Sequence, residues 1–128
     1  MSLFVYDSGP LIAIDGPGGA AVVDRHRVRL LRGDKILLPA IAAAQVLRDP
    51  ARQVRLMRAV NSCDVVPFRE RDVWDVGRLL AASGTADVVD AFVALVAARA
   101  SAAVITSDAA DISKLLATLG AEVAVLAA

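Results

Sequence analysis

The sequence predicts an α/β fold, a single domain over residues 1–128 with a mostly parallel central sheet and helices on both faces. Short apolar runs alternate with helical patterns along the chain, as expected of strands joined by crossover helices. A length of 128 residues allows one hydrophobic core and is too short for two. Hydrophobic residues make up 57% of the chain and aromatic residues only 4%, so the core must be built from aliphatic side chains and alanine.

Apolar runs and helical periodicity place the individual elements. The predicted strands are residues 3–6, 36–38, 65–66, 102–106 and 122–126. The predicted helices are a short one after the turn at 8–10, then 20–32, 40–48, 50–60, 69–82, 86–100 and 109–119. Gly33 and Gly120 stand just past the ends of two of these helices. Asp49 before Pro50 predicts an N-cap and a first helical residue, and Thr85 predicts a second N-cap.

Charge and cysteine content exclude several classes of protein. The 14 basic and 14 acidic residues cancel, which excludes a globally basic nucleic-acid binder and a disordered acidic chain. Residues 1–60 nevertheless carry nine basic and five acidic residues, and residues 61–128 carry five and nine, so a basic surface beside an acidic site is predicted. The single Cys63 excludes a disulfide scaffold or a cysteine-based zinc site and fits a reducing compartment.

Nothing in the sequence predicts a membrane segment or a signal peptide. The longest strongly apolar run without charge covers residues 36–47 and contains Pro39, whereas a spanning helix needs about 20 apolar residues. The N-terminus lacks a basic region and carries Asp7 where a signal peptide needs apolar residues. We therefore expect a cytoplasmic protein.

Four aspartates are expected to converge at one edge of the sheet. Asp7 and Asp108 directly follow predicted strands, where ligands of parallel sheets gather. Asp87 and Asp90 lie three residues apart in the helix that leads into the strand before Asp108, so they share a face. Converging carboxylates raise one another's pKa and are best tolerated around a cation. Ligands that are all oxygen suit Mg²⁺ or Mn²⁺, which can activate water against a phosphodiester.

Each of these acids also has a structural interpretation. Asp87 could simply interact with the helix dipole, and Asp108 could cap the helix that follows it. Asp111 is assigned a structural place in the first turn of that helix. Asp90 is the hardest to explain structurally, because its neighbours are apolar and a buried unpaired carboxylate is costly.

Three segments resemble the PIN-domain family, and in particular the VapC-type toxins of bacterial toxin–antitoxin pairs. Residues 5–11 (VYDSGPL) resemble the opening of a PIN domain, and residues 90–94 (DAFVA) with 104–108 (VITSD) resemble its C-terminal half. The resemblance implies a Mg²⁺- or Mn²⁺-dependent endoribonuclease that forms a homodimer and is silenced by a cognate antitoxin. It assigns Asp7, Asp90 and Asp108 to catalysis and metal binding, with Asp87 as a further catalytic candidate.

The chain departs from the family at Gln45, where a glutamate is expected in the helix after the second strand. An amide oxygen can contact a metal but brings no charge, so Gln45 is predicted as a neutral ligand. Asp49 could reach the same face of the helix, although its N-cap role is preferred. This departure keeps open a second interpretation, a degenerate PIN domain that binds RNA or protein without cutting. A phosphoryl-receiver domain fits poorly, because the chain lacks the acidic pair and late lysine it needs.

Several other side chains carry weaker predictions. Arg48, Arg52 and Arg55 are spaced to form one helical stripe that could clamp RNA phosphates, with a solvated face as the alternative. Lone His26, flanked by arginines, is predicted at the surface, and Trp74 in the core. Cys63 is predicted to be a small core residue. The weaker arginine stripe is formed by Arg25, Arg29 and Arg32.

Overall fold

The computed structural model describes all residues from 1 to 128 and contains five strands and seven helices. The strands are β1 (Leu3–Tyr6), β2 (Lys35–Pro39), β3 (Asp64–Val66), β4 (Ala103–Thr106) and β5 (Val125–Ala127). The helices are α1 (Ser8–Asp15), α2 (Gly19–Leu31), α3 (Ala40–Val46), α4 (Val54–Asn61), α5 (Glu70–Ser83), α6 (Val88–Ala100) and α7 (Ala109–Leu119).

The five strands form one parallel sheet in the order β3-β2-β1-β4-β5. The strand β1 is central, and its Val5 pairs with Leu37 of β2 on one side and Val104 of β4 on the other. The chain builds outward from β1 to β3 and then crosses to β4, so the strand order reverses between β1 and β4. The carboxyl ends of these two strands form the crevice in which open α/β sheets bind ligands.

The helices form two packed groups. Helix α1 contacts α2, α3 and α4, while α5, α6 and α7 contact one another. Because crossovers between parallel strands are right-handed in nearly all proteins, the observed strand order places these groups on opposite faces of the sheet, in agreement with the predicted architecture. Residues 91–97 of α6 are all buried, and their three alanines and two valines allow the helix to lie close against β1 and β4. No single helix is long and apolar enough to cross a membrane; α5 and α6 would qualify only together, and they are bent by 105° at their break.

The start of α4 differs from the prediction. The helix begins at Val54, and the preceding residues form a turn, so the predicted N-cap role of Asp49 is wrong. The Asp49 carboxylate instead accepts a hydrogen bond from the Ala51 N–H at 3.1 Å, and Gln53 Oε1 accepts from the N–H groups of Arg48 and Asp49. These side chains satisfy backbone N–H groups in a local turn, and the turn thereby competes with helix formation. The N-cap of α6 is likewise Asp87 rather than Thr85.

Trp74 and His26 occupy environments opposite to those predicted. The inward stripe of α5 consists of Asp72, Val76, Leu79 and Ser83, and Trp74 lies off that stripe with 66% of its surface exposed. His26 lies on the inward side of α2 and is 3% exposed. The face of the helix on which each residue lies therefore determines its burial, whatever the chemical character of its side chain.

Cys63 is partly buried against the core, and burial raises the pKa of its thiol to about 12.

Candidate active site

Asp7 directly follows β1 and is the N-cap of α1. Its Oδ1 accepts a hydrogen bond of 2.7 Å from the Gly9 N–H, which satisfies one of the free donors at the helix start. The side chain is held on its other oxygen by the Thr106 hydroxyl, which donates to Oδ2. Asp7 is only 4% exposed, and burial raises its pKa although both hydrogen bonds oppose this effect.

Thr106 joins the ends of the two central strands. Its hydroxyl oxygen accepts a hydrogen bond of 2.8 Å from the Asp108 N–H while the same hydroxyl donates to Asp7. The threonine is 1% exposed, so these bonds are shielded from water. It fixes the turn after β4 relative to the turn after β1. Thr106 is not among the predicted site residues, although a polar residue at the carboxyl end of a central strand is a signal of a site.

Gly9 lets the start of α1 approach the turn after β4. A Cβ atom at this position would lie 2.8 Å from Ser107 Cβ and 2.9 Å from Asp7 Oδ1. Both distances are shorter than carbon and oxygen atoms tolerate. A glycine is therefore required here by space, and it allows the two turns that carry Asp7 and Asp108 to pack together.

Asp90 lies in the first turn of α6 and is the most perturbed acid of this region. Burial, and after it the charges of Asp87, Asp108, Asp7 and Asp111 in that order, together raise the pKa of its carboxyl to about 6. The other four carboxylates therefore lie close enough to Asp90 for their charges to influence its pKa. Asp87 is the N-cap of α6 and accepts a hydrogen bond of 2.9 Å from the Asp90 N–H, so its structural role is real.

Asp111 is the acid that the sequence analysis undervalued. Carboxylate oxygens of Asp90, Asp108 and Asp111 all lie within 4.8 Å of one another. A hydrogen bond with Asp111 is the main cause that raises the pKa of Asp108, followed by burial and by the charge of Asp111. The signal was the three-residue spacing of Asp108 and Asp111 at a helix start, the same spacing as Asp87 and Asp90.

The donor set fits a hard divalent cation. Oxygen ligands lie about 2.0–2.6 Å from Mg²⁺ or Ca²⁺, so two ligands of one ion are up to about 4–5 Å apart. The oxygens of Asp90, Asp108 and Asp111 satisfy that limit, and no sulfur or imidazole lies among them. The buried carboxylate of Asp7 lies close enough to influence the pKa values of Asp90 and Asp108.

Gln45 is the uncharged candidate among the predicted site residues. It is on α3 with an exposed side chain, and its amide makes no hydrogen bond within the protein. Asp49 is exposed too, and its nearest cation is the Arg52 guanidinium at 3.6 Å. Their assignment as metal ligands stays a prediction.

The predicted arginine stripe does not form as one helical face. Arg48 and Arg52 precede α4, and only Arg55 lies within it. The Arg48 guanidinium donates to the carbonyls of Ala44 and Leu47, at 3.0 and 2.7 Å. The Arg55 guanidinium donates to the carbonyls of residues 14 and 16, at 2.8 and 3.0 Å, and so closes the end of α1. The turn at Pro50 breaks the helical spacing on which the stripe depended.

The fold and this site together define an α/β protein with an oxygen-only acidic crevice at the point where strand order reverses. The sequence matches no protein-family model and no curated protein. Solved structures that are similar in fold include VapBC2, VapBC-1 and FitAcB. VapBC2 from Rickettsia felis bound to a promoter DNA fragment is 10% identical with a TM-score of 0.71, and 98% of each chain is covered. VapBC-1 from nontypeable Haemophilus influenzae is 15% identical with a TM-score of 0.68, covering 98% of this chain and 97% of that one.

The third structure, FitAcB from Neisseria gonorrhoeae, is 18% identical with a TM-score of 0.64, and 96% of each chain is covered. Identities this low establish a likeness of fold. The chain thus has the PIN-type fold of VapC-like toxins, which confirms the fold that the resemblance implied.

Proposed function

We propose that this protein is a Mg²⁺- or Mn²⁺-dependent endoribonuclease and the toxin of a cytoplasmic toxin–antitoxin pair. The observation that carries the proposal is the group of three carboxylates within 4.8 Å, placed at the crevice of a PIN-type sheet. Like charges at this distance repel in a partly buried site, and a divalent cation would remove the repulsion. The fold alone would not support the activity, because one fold hosts many functions.

Each acidic side chain has its own role in the proposed metal site. Asp90, Asp108 and Asp111 would hold the cation, and Asp7, fixed by Thr106 and the Gly9 N–H, would complete the charge of the site. A bound cation supplies a more acidic water and offsets the charge that develops on the phosphodiester. Asp87 holds the start of α6 and thereby the orientation of Asp90. Hydrolysis would leave a 5′-phosphate and a 3′-hydroxyl.

The number of carboxylates favours an active enzyme over a degenerate binding module. The neutral Gln45 was the main support for the non-catalytic interpretation. Asp111 brings a carboxylate into the group from α7, so the charge that Gln45 lacks is present in the crevice. The assignment of Gln45 as a neutral ligand becomes unnecessary for the proposal.

Partners follow from the same proposal. RNA is the proposed substrate and a homodimer the proposed assembly. A cognate antitoxin is the proposed inhibitor, and the VapBC complexes of similar fold support such a partner. Arg48 and Arg52 are exposed and remain the candidates for phosphate contacts, while Arg55 is engaged with α1.

Cleavage of total cellular RNA tests the activity. The wild type should cut in Mg²⁺ or Mn²⁺ and stop in EDTA, and folded Asp90→Asn should not cut. Glu122→Gln is the matched control, because Glu122 is exposed and precedes the edge strand β5 at the opposite end of the sheet. Cleavage by Asp90→Asn at the wild-type rate would refute the site.

The RNA contact is tested by salt dependence. Replacing Arg48 and Arg52 with Gln should flatten the dependence of log affinity on log salt by about 0.7 for each phosphate contact to single-stranded RNA that is lost. Arg71→Gln, another exposed arginine, is the control. Equal slopes in all three proteins would assign Arg48 and Arg52 to the solvated surface.

A further inference from the structure

His26 is the only histidine in the chain, and it is buried between β1 and α4. Its Nδ1 lies 2.7 Å from the Tyr6 hydroxyl oxygen, and its Nε2 lies 2.7 Å from Ser62 Oγ. Tyr6 is the residue before Asp7, and Ser62 is the C-cap of α4. One side chain of α2 therefore connects the central strand to a helix that packs on α1.

The neighbouring hydrogen bonds fix the direction of each proton. The Ser62 hydroxyl donates to the Ala59 carbonyl at 2.6 Å, so its oxygen accepts from His26 Nε2–H. Nδ1 must then be the unprotonated nitrogen and accepts from the Tyr6 hydroxyl. The Tyr6 oxygen in turn accepts from Arg29 Nη1 at 3.0 Å. Every donor and acceptor of this polar relay is satisfied when His26 is neutral and protonated on Nε2.

A second proton on His26 would break the relay. The new hydrogen on Nδ1 would face the hydroxyl hydrogen of Tyr6, which would have to turn away and lose its acceptor. The Arg29 guanidinium lies 5.8 Å over the Tyr6 ring and disfavours a further positive charge. Burial first, and the charge of Arg29 second, lower the pKa of His26.

The other charged groups around His26 favour the same neutral state. His26 and Ser62 line a cleft of about 550 Å³ between α2 and α4. The charged residues that line this cleft are Asp24 and Arg27 from α2, and Arg55 and Arg58 from α4. Three cations and one carboxylate at the cleft leave an excess of positive charge, to which Arg29 adds.

We infer that His26 is a proton-sensitive latch that fastens α2 and α4 to β1 when it is neutral and releases them when it is protonated. Protonation would remove the bond to Tyr6, the neighbour of Asp7, so the release reaches the strand end that carries the acidic crevice. The latch is built from residues outside that crevice, and it does not depend on the proposed nuclease activity.

The sign of the pH effect follows from the folded and unfolded states. A free histidine has a pKa of about 6.5, and the folded value is lower. The latch therefore contributes its full stability above about pH 6.5 and loses it as the pH falls from there toward the folded pKa. Within that window, the unfolding equilibrium constant rises up to tenfold per pH unit.

Side-chain ¹H–¹⁵N NMR tests the latch directly, because a single histidine needs no assignment. The wild type should show the Nε2–H tautomer at pH 7.5 and a protonation midpoint below 6.5. Tyr6→Phe removes the donor to Nδ1 and should raise the midpoint toward the ordinary value. A wild-type midpoint at or above 6.5, a proton on Nδ1, or an unchanged midpoint in Tyr6→Phe would overturn the inference.

Unfolding in urea between pH 7.5 and 5.0 tests the coupling. The wild type should lose stability relative to His26→Gln as the pH falls, because the contributions of the carboxylates are common to both proteins and cancel. Equal pH dependence would contradict the latch. If His26→Gln does not fold, amide exchange of the wild type replaces it: at pH 5.5, protection should fall in α2 and α4 more than in α7. A uniform fall would show that no local release occurs.

Discussion

Asp90→Asn should make the metal-free protein more stable at neutral pH. The carboxyl of Asp90 has a pKa of about 6 in the folded state against an ordinary value of 3.8. A raised pKa means that folding favours the protonated form, whose stability is fully present below pH 3.8 and is lost as the pH rises through 6. At pH 7.5 the ionised Asp90 therefore destabilises the fold.

The size of this effect follows from the pKa difference. Each unit corresponds to about 1.4 kcal/mol, which sets an upper limit of about 3 kcal/mol. Asp90 is only partly buried, so screening by solvent reduces the penalty to between about 1 and 2 kcal/mol. The variant also loses an interaction of about 0.5 kcal/mol with the dipole of α6. The net gain should be about 1 kcal/mol, or about 4 °C in Tm for a chain of this length.

Thermal unfolding followed by circular dichroism in EDTA measures the difference. Asp90→Asn should melt above the wild type at pH 7.5, and the two Tm values should converge near pH 4. In Mn²⁺ the order should reverse, because a ligand at 100 times its Kd stabilises the folded wild type by about 2.7 kcal/mol. Glu122→Gln should follow the wild type throughout. A variant no more stable than the wild type in EDTA at pH 7.5 would refute the argument from repulsion and burial.

Three further substitutions have defined outcomes. Asp111→Asn should weaken Mn²⁺ binding in calorimetry more than Gln45→Ala does, and the opposite order would restore Gln45 to the site. Gly9→Ala should lower the free energy of unfolding by about 1–3 kcal/mol, since its Cβ has no space; an unchanged urea midpoint would contradict this. Arg99→Met should cost about 3 kcal/mol in urea unfolding, because it leaves Asp72, 1% exposed, without its 2.7 Å ion pair. A loss below about 0.5 kcal/mol would show that Asp72 is satisfied without Arg99.

The sequence predicts those parts of the site that depend on chain order. Asp7 and Asp108 could be placed because a residue after a strand of a parallel sheet must lie at its carboxyl edge. Asp90 could be placed because its helix leads into the strand before Asp108. The positions of Thr106 and Asp111 also carry a signal in the sequence, but their contacts could not be predicted, since these depend on side-chain directions at the meeting of two turns. The contacts of Thr106 and Asp111 form only because the fold brings the two turns together.

Two failures show why a residue's character is a weak guide to its position. A histidine between two arginines suggests the surface, yet His26 is buried because hydroxyl groups on β1 and α4 satisfy both ring nitrogens. The arginine spacing suggested one helical face, yet polar contacts around Asp49 and Gln53 stabilise a turn there instead. The burial of His26 depends on partners distant in the sequence, and the turn before α4 depends on side-chain hydrogen bonds that compete with the helix.

The two hydrogen bonds of Asp7 affect how a chain of this kind could lose the proposed nuclease activity. A change from Asp7 to alanine removes both the carboxylate and the helix cap, at a cost of about 1 kcal/mol for the cap alone. Loss of the Asp90 carboxylate costs only its interaction with the helix dipole, about 0.5 kcal/mol, and relieves a larger repulsion. Selection for silent copies of the gene should therefore accumulate substitutions at Asp90 before Asp7. Substitution of Asp90 would remove the proposed activity at a lower cost in stability than substitution of Asp7.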